Sequence, residues 1–137
     1  MTSASLTNST GFEPTEIIPG NLSSGLLLLC DHARNTVPPA YGNLGLPPEQ
    51  FERHIGYDIG VRPLTLELAS RLNVPALLTT YSRLLIDPNR GEDDPTIVMR
   101  LSDGAVVPGN ARIDAAERQR RIEQFHKPYH DQIDATL

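Results

Sequence analysis

The longest apolar stretch of the chain is Leu26–Cys30, in which four consecutive leucines precede a cysteine. A short uninterrupted run of this kind is typical of a strand buried on both faces, as in parallel sheets. Farther along, Leu64, Leu68 and Leu72 recur at helical spacing, with charged residues between them. This spacing predicts an amphipathic helix over Val61–Leu72, with its charged positions facing water.

Two further segments rich in aliphatic and β-branched residues predict strands, Val74–Thr80 and Arg83–Ile86. Ile97–Met99 and Ala105–Val107, on either side of a Ser-Asp-Gly turn, predict a strand pair. Proline at the first turn of a helix loses no hydrogen bond, so Pro48–His54 is predicted to be a short helix.

A last helix is predicted after Asp114, which caps it, with Glu117 three residues on in capping-box position. Pro128 should kink this helix. The order of elements predicts an α/β fold with a mixed or mostly parallel sheet flanked by helices. We assign one domain to residues 25–137 and a polar N-terminal lead-in to residues 1–24, and we expect the sheet to be incomplete at its C-terminal end.

Composition narrows the function. The net charge is −5 with basic and acidic residues interspersed, which does not favour nucleic-acid binding. The only cysteine is Cys30, and the first twenty residues lack the basic start and apolar block of a secretory signal. The longest apolar run is far shorter than the roughly 20 residues of a membrane span. A cytoplasmic location without membrane contact is the expectation.

Polar clusters follow two of the predicted strands, and α/β sheets bind ligands at the carboxyl ends of their strands. After the first strand comes His32, which would be a metal ligand oriented by Asp31, or else a histidine that satisfies its own loop. Asp58 stands between two glycines; it either points into the site or caps the following helix, and both interpretations are open.

The third predicted strand is bracketed by Arg83 and by Asn89 and Arg90. Arginine binds carboxylates through two parallel N–H donors, so this cluster is a candidate carboxylate site, with Asp87 orienting either guanidinium. An internal arginine–aspartate salt bridge is the alternative.

Three other residues are given structural roles. Cys30 is expected to pack as a small hydrophobe. His126 and His130 share a helix face, but Pro128 between them spoils regular geometry, so both are expected at the surface or the edge of the core.

Five motifs occur in an order that resembles the N-formylglutamate amidohydrolase family: CDHARN, HIGYDIG, YSRLLIDPNR, VPGN and PYH. The resemblance implies the fold of the zinc-dependent exopeptidases. It also implies that His32 is a zinc ligand, that Asp58 is a carboxylate ligand, and that Asn89 and Arg90 anchor the substrate carboxylate beside Arg83. Asn35 stands where the exopeptidases place a glutamate ligand, and Pro88 stands where leucine is usual in the family.

The implied activity is hydrolysis of an N-acyl amino acid, with N-formyl-L-glutamate giving glutamate and formate, a reaction of histidine degradation. The resemblance covers the N-terminal half of the family, and a further histidine motif is expected in the other half. His32 and Asp58 alone fall short of the three protein ligands of a catalytic zinc, so we expect weak or absent metal in this chain. The alternatives are a non-catalytic fragment or paralogue that binds carboxylates or a protein partner, and a structural protein with salt-bridged loops.

Overall fold

The computed structural model describes residues 11–137 and shows a mixed α/β fold. Three strands form the main sheet, in the order β1-β3-β2: β1 is Thr15–Ile18, β2 is Leu28–Cys30 and β3 is Ala76–Thr79. β2 runs parallel to β3, and β1 runs antiparallel to it. The predicted fold class, α/β with a mixed sheet, is confirmed.

β1 lies inside the segment that the sequence analysis assigned to a polar lead-in. It pairs with β3 over its full length, from Thr15 opposite Thr79 to Ile18 opposite Ala76. The assignment of residues 15–18 to a lead-in is therefore wrong. Residues 1–10 of the assigned lead-in lie outside the described part of the chain. A four-residue strand surrounded by polar residues gives little local signal, because its stability comes from a partner about sixty positions away.

The leucine run forms an edge strand and not the central strand that its composition predicted. Leu29 in β2 is 49% exposed and Leu26 just before it is 44% exposed, whereas Cys30 is buried. The central position belongs to β3, all four residues of which are buried. Among residues 11–137, nothing pairs with the outer side of β2.

Helix α1 covers Val61–Leu72, the predicted range. Its buried contact with the sheet is Ala69, which packs in a small cluster with Cys30 and Ala76. The leucines of the predicted buried stripe are instead exposed, by 58%, 40% and 52% at positions 64, 68 and 72. Arg62 shares the helix face of Ala69 and makes two hydrogen bonds to Glu16 of β1, so this face, and not the leucine stripe, meets the sheet.

Residues 83–86 do not form the predicted strand; they form a turn. The Ser82 side chain accepts a hydrogen bond from the Leu84 amide, and its carbonyl accepts one from the Leu85 amide. Leu84, Leu85 and Ile86 are nevertheless fully buried in the larger apolar cluster of the protein. The aliphatic residues of this segment therefore indicated correctly that it is buried, but they did not indicate a strand.

A hairpin forms from β4, at Leu101–Ser102, and β5, at Ala105–Val106. Its first strand begins four residues later than predicted, and its second begins at the predicted residue. Asp103 and Gly104 connect the strands with positive φ angles of 47° and 80°, as a two-residue type I′ turn requires. Ile97–Met99 is not a strand.

The C-terminal helical segment has three parts: α2 at Ala115–Arg121, a π-helical turn at Ile122–His126, and α3 at Lys127–Thr136. The predicted cap is confirmed, because the Asp114 carboxylate accepts a hydrogen bond from the Glu117 amide at 2.8 Å. Pro128 lies in the first turn of α3, directly after the π-helical turn, which accommodates it without ending the helix.

The connections contain three short 3₁₀ helices, at Leu22–Ser24, Pro39–Tyr41 and Pro48–Glu52. The last of these replaces the predicted helix over Pro48–His54. No helix within residues 11–137 has the length and apolar character needed to cross a bilayer.

Candidate functional site

His32 lies two residues after the end of β2 and has an unusual backbone conformation. Its φ angle is 60°, in the left-handed region, where a histidine is occasionally found and where backbone strain often marks functional sites. The carbonyl of His32 accepts a hydrogen bond from the Asp58 amide at 2.9 Å, which ties this turn to the loop before α1. The histidine is buried, so the strand end delivers an imidazole to the interior edge of the sheet.

The two ring nitrogens of His32 each face a carboxylate. Nδ1 lies 3.2 Å from Oδ2 of Asp58, and Nε2 lies 2.5 Å from Oδ1 of Asp87. Burial by itself lowers the pKa of His32, but the hydrogen bonds to Asp87 and Asp58 outweigh it and leave the pKa raised. The arrangement therefore favours an imidazolium that donates from both nitrogens.

Asp87 is the hub of the site, and its side chain is 1% exposed. Besides His32, its Oδ1 accepts a hydrogen bond from the Asn89 amide at 3.0 Å. Its Oδ2 accepts from Arg83 Nη2 at 3.3 Å and from Arg90 Nε at 3.2 Å. Burial opposes ionisation of this carboxyl, but the bonds from His32 and the Asn89 amide, with the charge of Arg83, lower its pKa to about 2.

Arg83 closes the cluster, since its Nη1 also donates to Oδ1 of Asp58 at 3.3 Å. Arg90 extends it outward, with Nη1 donating to Thr96 Oγ1 at 2.5 Å and lying 4.0 Å from Asp94 Oδ2. The two polar strand-end clusters of the sequence therefore meet in one place. Both arginines are at the same time paired with an internal carboxylate, which is the alternative that the sequence left open.

The family model for N-formylglutamate amidohydrolase matches residues 24–137. The chain belongs to the N-formylglutamate amidohydrolase family. No curated protein matches the sequence.

Two solved structures resemble this family member over 90% of its length. A gene product from Agrobacterium tumefaciens is 28% identical with a TM-score of 0.82, and 49% of that chain is covered. An N-formylglutamate amidohydrolase from Ralstonia eutropha JMP134 is 26% identical with a TM-score of 0.61, and 50% of it is covered. The chain thus spans about half the length of the solved structures that it matches.

The remaining predicted residues of this N-formylglutamate amidohydrolase homologue surround the cluster. Asn89 contributes its backbone amide to Asp87. The Asn35 side chain donates to the Phe51 carbonyl at 2.9 Å and so holds its own loop. Asp31 was expected to orient His32, but its Oδ1 accepts from the Tyr129 hydroxyl at 2.7 Å; the carboxylates on the His32 ring are Asp58 and Asp87.

Cys30 packs as the sequence predicted. It lies in the small apolar cluster against α1, and burial raises the pKa of its thiol. A buried thiol with a raised pKa is a poor nucleophile.

The C-terminal helix is a part of the site that the sequence pattern did not predict. His126 and His130 were expected at the surface or the core edge, yet both of their Nε2 atoms reach the backbone of the loop that carries Asn89. The available signal was the spacing of four between the histidines and the position of Tyr129 on the same helix. Their partners are backbone carbonyls, which no side-chain pattern reveals.

Zinc, which the family's similarity to exopeptidases implies, fits part of this site. Zinc–ligand distances near 2.1 Å and tetrahedral angles place two ligand atoms about 3.4 Å apart. The separation of 3.2 Å between His32 Nδ1 and Asp58 Oδ2 is close to that value. The Asp87 carboxylate on Nε2 occupies the position from which a carboxylate commonly orients a metal-binding histidine. Within residues 11–137, however, no group of three or more candidate ligands converges.

Proposed function

We propose that this chain carries part of the active site of a metal-dependent amidohydrolase that cleaves N-formyl-L-glutamate to glutamate and formate. The observation that carries the proposal is the convergence of His32, Asp58 and Asp87 with the two arginines at the strand ends. It is supported by family membership and by the name of the Ralstonia eutropha relative. Cytoplasmic location and the exopeptidase-like fold belong to the same proposal.

His32, through Nδ1, and Asp58 would hold the metal. When bound there, zinc would polarise the formyl oxygen and lower the pKa of a water molecule to about 7. On metal binding the His32 imidazolium would lose its Nδ1 proton, and Asp87 would keep the other proton on Nε2, so that the Nδ1 lone pair would face the metal. The third ligand would come from residues outside this cluster, so the chain by itself would bind zinc weakly.

Arg83 and Arg90 would bind the carboxylates of the substrate. The hydrogen bonds of Arg83 use its two Nη atoms, and its Nε is buried without a partner. A substrate carboxylate would reach this donor, which is costly to leave unpaired, only after a local shift that opens Nε to the site. Asn89 stands beside Arg90 and would add a further donor.

The test is a formate-release assay with N-formyl-L-glutamate, with and without added zinc, on this chain and on the Ralstonia eutropha enzyme. We expect zinc-dependent release from that enzyme and little release from this chain alone. Covalent fusion of this chain to the unmatched half of that enzyme should restore release. If a well-folded fusion binds zinc and releases no formate, the amidohydrolase proposal is wrong.

A carboxylate-binding module without catalytic activity is the second candidate. It is favoured by the finding that no three candidate ligands converge within the described residues. It predicts that the chain binds glutamate while zinc changes neither the affinity nor the release of formate, which calorimetry and the assay above measure together.

A further inference from the structure

The C-terminal helix holds both loops that build the site, through three side chains on one of its faces. His126 Nε2 lies 2.7 Å from the Arg90 carbonyl, and His130 Nε2 lies 2.8 Å from the Pro88 carbonyl. The Tyr129 hydroxyl donates to Asp31 at 2.7 Å. One helix therefore contacts the loop that contains Asn89 on both sides of that residue, at Pro88 and Arg90. It also contacts the His32 loop at Asp31, one residue before the histidine.

The protonation of both histidines follows from their partners. A backbone carbonyl only accepts hydrogen bonds, so Nε2 must carry a proton in His126 and in His130. The two rings also pack on each other, with centroids 4.5 Å apart. His126 and Tyr129 are buried, so neither ring is free to turn away from its partner.

The π-helical turn explains why this face meets the loops. In it the Lys127 amide donates to the Ile122 carbonyl, five residues back, where an α-helix would use four. The extra residue rotates all that follows by roughly a quarter turn or more, and single π turns of this kind recur at functional sites. Without the π-helical turn, His130 and Tyr129 would lie on a different face of the helix and would not point toward the two loops.

We infer that His126, Tyr129 and His130 are positioning residues, which set the separation between the His32 loop and the Asn89–Arg90 loop. This inference rests on the proposed function for its purpose, because that separation matters when one substrate must reach both loops. Its structural content does not depend on the reaction. Each of the three contacts joins residues that lie 36 to 98 positions apart in the chain.

The decisive measurement is amide hydrogen exchange by NMR on the whole chain. His130→Phe removes the donor, whereas His130→Gln retains one near the position of Nε2. We expect His130→Phe to speed exchange of the Asn89 amide about tenfold, the change expected from losing one hydrogen bond of ordinary strength. The amides of β3 should exchange as in the wild type, and His130→Gln should recover most of the protection.

The matched control is His54→Phe, which removes a histidine that is 68% exposed and paired with Asp103. It should leave Asn89 unchanged. Uniformly faster exchange, in β3 as well as at Asn89, would reduce His130 to a general stabiliser and overturn the inference, as would no change at Asn89. Titration of each variant with N-formylglutamate is a separate arm: absence of binding by the wild type counts against the proposed function and leaves the exchange result to decide the positioning.

Discussion

Arg121 and Asn110 form a buried hydrogen bond of 2.6 Å between guanidinium and side-chain carbonyl. Asn110 in turn donates to the carbonyls of Leu84 and Met99, at 2.7 and 2.8 Å. Arg121 also donates to the Leu85 carbonyl at 3.0 Å. These bonds connect α2 to the turn that precedes Asp87, and they assign the asparagine of the VPGN motif a structural role.

Replacing Arg121 with lysine should destabilise the protein by about 3 kcal/mol, because one ammonium cannot bond Asn110 and Leu85, as Nη1 does, and at the same time Glu117, as Nε does. The matched control is Arg120→Lys, at a neighbouring residue that is 60% exposed, and it should change the free energy of unfolding by less than about 0.5 kcal/mol. Urea unfolding of both variants measures the difference. Similar losses at the two positions would show that the buried network contributes little.

Asp87 should matter more to stability than Asp58, although both face His32. Asp87→Asn removes the shared partner of one histidine and two arginines in a buried position, which should cost about 3 kcal/mol. Asp58 is 43% exposed, and Asp58→Asn should cost less than about 1 kcal/mol. Urea unfolding at pH 7 without metal measures both, and an equal cost would contradict the central position of Asp87.

Local sequence signals predicted the parts of this fold that local interactions decide. The range of α1 and the Asp114 cap depend on neighbours within a few residues, and both were predicted correctly. The edge position of β2 and the turn at residues 83–86 depend on which segments pair across the chain, and composition does not contain that information.

The candidate site shows the same division. The expectation that strand ends share an edge brought His32 and Arg90 into one proposed site, and the two residues do meet around Asp87. Arg90, however, follows a turn after β3 and not the strand predicted over residues 83–86. The expectation does not say which carboxylate contacts the histidine. Asp31 was predicted to orient His32, but the carboxylates that contact its ring are Asp58 and Asp87. The contacts of His126 and His130 could not be predicted because they end on backbone carbonyls.

Arg90→Lys should weaken binding of glutamate or N-formylglutamate by about ten- to a hundredfold, because lysine keeps the charge and loses the planar pair of donors. Arg112→Lys is the control, an exposed arginine outside the cluster, and it should bind as the wild type does. Competitive binding in a catalytically competent fusion measures both affinities. Unchanged affinity for Arg90→Lys would remove this arginine from the substrate site.

Acid should destabilise the protein through His126. Burial lowers the pKa of His126, and the charge of His130 adds to the effect; Nδ1 of this ring is also buried without a hydrogen-bond partner. The Arg90 carbonyl and the charges of Glu92 and Asp87 oppose it without reversing it. Since the folded pKa lies below that of the unfolded chain, this contribution is complete above about pH 6.5 and is lost as the pH falls toward the folded value.

The expected observation is a steeper loss of unfolding free energy between pH 7 and pH 5 in the wild type than in His126→Gln, which cannot titrate. Urea unfolding across this range gives both slopes. The other histidines are common to both proteins, so the difference between the slopes reports His126 together with its electrostatic interaction with His130. Parallel slopes would show that the ring takes up its proton as easily in the folded chain as in the unfolded one.

The exposed outer side of β2 has a consequence for how the purified chain should behave. Its unpaired backbone groups and the half-exposed Leu29 offer a template to any extended segment, including another copy of the same strand. Self-association should therefore increase with protein concentration, and Leu29→Lys should reduce it. His32 lies two residues after this strand, so a strand added at the edge would also restrict the backbone that carries the imidazole. Association of the chain and rigidity of the site would then increase together.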